Sequence, residues 1–105
     1  MAVTRDKLID EYKILRGANG MAHIATRRFW TAYDKLPAPI RELADKNYEL
    51  LKANPQHPSL QFKKVGEYWS VRVGRNYRAL GVESPEGIAW FWIGPHDEYK
   101  LFIRS

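Results

Sequence analysis

A chain of 105 residues, 45% hydrophobic and 13% aromatic, is long enough for one domain with its own core. Its formal charge of +5 favours an anionic partner such as nucleic acid, an acidic protein segment or a membrane surface. The absence of cysteine excludes a disulfide framework, thiolate metal sites and cysteine nucleophiles.

No apolar run approaches the ~20 residues of a membrane span, and the first residues lack the apolar centre of a secretory signal. A cytoplasmic protein without membrane association is expected. Residues 3–16 carry Leu8, Ile9, Tyr12 and Leu15 at helical spacing, with Thr4 as a candidate N-cap. Gly17 and Gly20 break that pattern. Residues 1–20 therefore read as an extension helix and 21–105 as the main domain.

A second helix is predicted from Thr26 to Leu36, with Phe29, Trp30, Tyr33 and Leu36 as its apolar stripe and Pro37 ending it. A third runs from Pro39 to Ala53, with Ile40, Leu43, Ala44, Tyr48 and Leu51 facing the core. Strands follow at 60–65, 68–73, 77–83 and 88–93, separated by turns at Gly66, Gly74 to Asn76 and Ser84 to Gly87. The last strand is apolar on both faces and should be central, with Trp90 and Trp92 sharing one face. A short closing helix is predicted over 96–103. Helices first and an antiparallel meander after them give an α+β fold: two helices packed on a twisted antiparallel sheet, plus the N-terminal extension helix.

The stretch from Tyr68 to Leu80 is the most informative. It reads as a hairpin with Arg72, Arg75 and Arg78 within seven positions. Arg72 lies on the strand face opposite Val71 and Val73, where it is either a solubilising charge or a phosphate contact. Arg78 shares parity with Leu80 and Val82, so it needs an anionic partner. That partner is an ion pair with Glu83 or Glu67, or a ligand. Arg75 sits in the turn, as a surface charge or a backbone contact. Lys63 and Lys64 fall on opposite faces, so only one can join the arginines. His96 follows a strand end, either as a cap or as a proton carrier. Tyr99 either packs the closing helix or acts beside His96.

Arg and His suit metal-independent RNA cleavage, in which the ribose 2′-OH attacks its own phosphate. The guanidinium fork matches phosphate oxygens, and imidazole moves protons near neutral pH. The three histidines, His23, His57 and His96, lie far apart in sequence, so no metal site and no cofactor are expected.

Taken together, the runs 57–65, 68–81 and 90–99 resemble the RelE/ParE superfamily of toxins from type II toxin–antitoxin systems. The resemblance covers roughly residues 21–103. It rests on Pro-x-His-Pro-Ser-Leu, the Val-x-Val-x-x-x-Tyr-Arg hairpin and a terminal His-x-x-Tyr, in that order. It implies a toxin neutralised by a cognate antitoxin. RelE-type members cleave mRNA on the ribosome without metal, whereas ParE-type members poison DNA gyrase and lack the catalytic set. The former reading comes first here; gyrase inhibition and a catalytically inactive protein-binding relative are the alternatives. By position, Arg78, His96 and Tyr99 match the family's catalytic residues. Lys64 and Arg72 are looser matches to the family's basic residues; Arg72 is counted with the catalytic set, and Lys63, Lys64 and Arg75 are expected as nucleic-acid contacts. The chain departs from the family in its first 20 residues and in a sparser cationic set.

Overall fold

The computed structural model describes residues 14–16, 22–85 and 87–103, the first three as backbone only. The elements in chain order are β1 (Ile14–Arg16), β2 (Ala22–Ala25), α1 (Arg27–Tyr33), α2 (Ala38–Ala53), β3 (Lys63–Val65), β4 (Tyr68–Val73), β5 (Tyr77–Ser84), β6 (Gly87–Pro95) and α3 (His96–Ile103). The strands form one sheet in the order β1-β2-β6-β5-β4-β3. The fold is α+β, with β3 to β6 the expected antiparallel meander and β6 in the sheet interior.

Three features depart from the sequence reading. Ile14–Arg16 is a strand pairing antiparallel with β2, not the end of a helix over 3–16. The rest of that segment lies outside the described residues. The extension thus reaches the sheet edge through these three residues. Ala22–Ala25 forms an additional strand, parallel to β6, so the sheet is mixed. All four of its residues are buried, which removes the alternation that marks a strand in sequence. Residues Pro58–Leu60 form a 3-10 turn and shorten the strand expected over 60–65. Pro58 pre-sets the first turn, the His57 ring nitrogen accepts from the Ser59 N–H, and Gln61 ends it at φ 45°.

The helices start and stop for local reasons. The Thr26 hydroxyl accepts from the Phe29 N–H at 3.2 Å and donates to the Trp90 carbonyl at 2.9 Å. That residue both caps α1 and pins it to β6. Pro37 and Pro39 supply the start of α2, and the Asn54 N–H closes its end on the Leu50 carbonyl at 2.7 Å.

Both helices cover one face of the sheet. Leu36, Ala44 and Leu51 pack there on Val71, Val73, Ala79, Ile88, Trp90 and Ile93. α3 covers the opposite face. Its Phe102 lies 5.0 Å from Trp92 and 5.9 Å from Phe91, ring centre to ring centre. A bulge explains how adjacent aromatics serve both sides. Leu80 pairs with Trp92 and Gly81 with Trp90, leaving Phe91 as the extra residue. Trp90 therefore faces α2 and Trp92 faces α3, not one shared face, because a bulge shifts side-chain parity by one. No helix among the described residues is long and apolar enough to cross a membrane.

Candidate functional site

The β4–β5 turn fixes the arginines. Gly74 adopts φ 65°, and a Cβ there would come within 2.7 Å of Leu43 Cδ2, so the position suits glycine twice over. With Val73 paired to Tyr77, the register sets Arg72 directly opposite Arg78. Cross-strand partners project from the same face, here the α3 face, and like charges in that arrangement repel. Arg72 Nε donates to the Gly74 carbonyl at 2.9 Å, and Arg78 Nη1 to the Tyr77 carbonyl at 3.3 Å. Neither makes an ion pair with a carboxylate among the described residues. The alternative for Arg78, a pair with Glu83 or Glu67, is not formed, because Glu83 accepts from Lys64 at 2.7 Å.

α3 brings the other two groups. The His96 N–H donates to the Asn76 carbonyl at 2.7 Å, tying the start of the helix to the β4–β5 turn. The His96 and Tyr99 rings stack at 5.3 Å, and the Arg78 guanidinium carbon lies 5.7 Å from the Tyr99 ring centre. That distance is within cation–π range. Burial lowers the Arg78 pKa from its ordinary value; Tyr99 opposes the shift and Arg72 adds to it. A guanidinium keeps its proton in a protein, so two positive charges face each other at the site. Tyr99 is only 5% exposed. It is a wall that holds His96 and Arg78, whereas the half-buried arginines and His96 are open to a ligand.

The remaining cations divide. Lys63 pairs with Ser70 and so stands on the arginine face, exposed. Lys64 pairs with Trp69 on the helix face, where its ammonium lies 5.8 Å from the Trp69 ring and bonds Glu83. Arg75 is exposed in the turn. Among the described residues, no three His, Cys, Asp or Glu side chains lie close enough to hold a metal ion.

Sequence reading missed two groups. Arg28 stands 5.1 Å from the Phe91 ring centre, and Lys35 lies in the turn that follows α1; their spacing through Thr31 and Ala32 was the available signal. His23 is 1% exposed, and its Nδ1 accepts from Trp90 Nε1 at 3.1 Å. An indole only donates, so Nδ1 carries no proton. Burial, with help from the Lys52 charge, lowers the His23 pKa from 6.5 to about 4. Its partner lies across the fold, where sequence spacing gives no clue.

Comparison with known proteins bears on the fold and the family. The crystal structure of a RelB–RelE antitoxin–toxin complex from Methanococcus jannaschii contains a similar chain, with a TM-score of 0.53 and 18% identity. The likeness covers 74% of this chain and 95% of that one, and at this identity it speaks for the fold. No curated protein matches the sequence. The model of the ParE-like toxin domain matches residues 38–100, from the start of α2 through the paired arginines to His96 and Tyr99. Since that stretch is more than half of the molecule, the chain belongs to the ParE-like toxin domain family, within the RelE/ParE superfamily.

Proposed function

We propose that this toxin is a metal-independent endoribonuclease that cuts mRNA on the ribosome and so stops translation. The observation that carries the reading is the Arg72–Arg78 pair. Two guanidinium groups face each other across a hairpin, with no carboxylate of the described residues paired to either, beside the His96–Tyr99 stack. An anion held between them would relieve their repulsion, and a phosphodiester has the oxygens to engage both forks.

In this reading the arginines hold the scissile phosphate. The ribose 2′-OH loses its proton to water as the O2′–P bond forms. The arginines offset the charge of the phosphorane. The P–O5′ bond breaks as His96 gives a proton to the departing oxygen, leaving a 2′,3′-cyclic phosphate and a 5′-hydroxyl. Tyr99 is a positioning residue. A cognate antitoxin completes the system. Its binding segment is acidic and amphipathic, folds on contact, and sets carboxylates against the same arginines.

A second reading, DNA gyrase inhibition without catalysis, draws on one observation: the nearly buried Tyr99 leaves a smaller set of groups able to touch a nucleotide. Induction in bacteria with parallel labelling of new protein and new DNA separates the two. The first reading expects protein synthesis to stop first, with new mRNA 5′ ends mapping inside codons, and expects Arg72→Ala/Arg78→Ala and His96→Ala to lose both effects. Arrest of DNA synthesis over intact mRNA overturns it in favour of gyrase.

A further inference from the structure

Beside the arginine pair lies a cleft of about 320 Å³ that the cleavage chemistry above does not use. Its walls come from four elements. α1 and the turn after it supply Arg28 and Lys35, β6 supplies Trp92, β5 supplies Tyr77, and α3 supplies Glu98. The floor is Gly94. A Cβ at Gly94 would collide with the Trp92 indole, so the glycine is what lets that ring lie down against the strand. Phe102 holds the ring from behind at 5.0 Å. The result is a half-buried, fixed aromatic surface with two cations and one carboxylate around it.

Position ties the cleft to the site. Gly94 is the cross-strand partner of Arg78, so the floor sits one strand spacing, ~4.8 Å, from the arginine backbone. Tyr77 and Glu98 are the immediate chain neighbours of Arg78 and Tyr99. A strand of nucleic acid whose phosphate rests on Arg72 and Arg78 therefore has its next residue at the cleft mouth. The volume lies at the low end of ligand pockets, roughly 300 Å³ and upward. It suits one nucleotide and not a peptide helix.

Resting on the ribonuclease reading, we infer that this cleft is a nucleotide subsite. It takes the nucleotide that follows the dinucleotide carrying the scissile phosphate. Trp92 offers a face for stacking, Arg28 and Lys35 receive the adjoining phosphate, and Glu98 accepts from a base or ribose donor. Stacking is tolerant of sequence, whereas a carboxylate acceptor favours bases with an amino or imino N–H on the exposed edge. The cleft gives affinity and a bias toward such bases.

The test uses the full chain and short RNAs made uncleavable by a 2′-deoxy residue at the scissile position. The shortest is a dinucleotide. Others add one nucleotide at the 5′ or the 3′ end, with each of the four bases. Affinity is read by titration, and the Trp92 indole N–H is followed by NMR. Extension at one end only should raise affinity about tenfold and move the Trp92 signal. Arg28→Gln/Lys35→Gln, both exposed positions, should abolish that gain while leaving dinucleotide affinity unchanged. Glu98→Gln should flatten the base preference. Trp92→Leu should behave as the double variant does, with thermal unfolding as its folding control. Equal affinity for dinucleotide and extended RNA overturns the subsite but not the ribonuclease reading. No RNA binding at all overturns both. A Trp92 signal that moves with an acidic peptide and not with RNA assigns the cleft to a protein partner and overturns the subsite.

Discussion

The two faces of the sheet are built by opposite rules. Under α1 and α2, Val71, Val73, Ala79, Ile88, Trp90 and Ile93 form a layer with little solvent contact. His23, a polar side chain buried in it, has a partner in Trp90. Under α3, Leu80 and Ser70 are as deeply buried, yet the same face carries Arg72 opposite Arg78. The first face lowers the energy of the fold. The second keeps an arrangement that the fold alone does not favour. Sites of repulsion retained in an otherwise well-packed molecule are where a ligand's contribution is largest.

The largest expected effect is on the helix face. Trp90→Ala removes the ring that packs on Phe62 and leaves His23 without its donor. It should cost about 3–5 kcal/mol in urea unfolding. A loss below 1 kcal/mol would mean that this layer is not the main source of stability. Next comes acid. The native His23 pKa of about 4 lies below the unfolded value of 6.5, so the unfolded chain takes up a proton that the native chain refuses. Stability is full above pH 6.5 and falls as pH drops toward 4. The gap corresponds to about 3 kcal/mol. Unfolding curves for wild type and His23→Phe at pH 7 and 4.5 check this; the variant should lose most of the dependence.

On the α3 face the signs reverse. Arg78→Ala should leave stability unchanged or raise it by a few tenths of a kcal/mol, because a facing like charge is gone. The same variant should abolish toxicity. If it unfolds the protein instead, the arginine pair is structural and the contrast between the faces fails. The smallest effect belongs to Lys64→Ala. Its pair with Glu83 is exposed on both sides, and neither the unfolding midpoint nor toxicity should change measurably.

Much of this was legible in the sequence, for identifiable reasons. Gly74 and Asn76 between two alternating runs marked the hairpin, but that Arg72 stands opposite Arg78 came only with the strand register. Pro37 and Pro39 marked the boundary between the first two helices of the domain. β2 was not legible, since Ala22-His23-Ile24-Ala25 is too short and too uniformly buried for alternation, and its partner is distant in sequence. Nor was the bulge at Phe91, because an extra residue in a run of apolar side chains leaves the composition unchanged. The exchange of Trp92 to the α3 face, and with it the cleft above Gly94, followed from that single residue.

The parallel contact of β2 with β6 has a consequence for the order of events during synthesis. The bonds that seat the beginning of the domain reach far along the chain, 64 residues from Thr26 to Trp90 and 67 from His23 to Trp90. Such closures are slow to form and bring stability only once both ends exist. A nascent chain on the ribosome can form α2 and the β4–β5 hairpin early. It cannot seat β2 or cap α1 on the Trp90 carbonyl until β6 has emerged, and His96 and Tyr99 come after that. A product truncated before β6 therefore lacks the sheet's centre, and with it the seat of both β2 and α1.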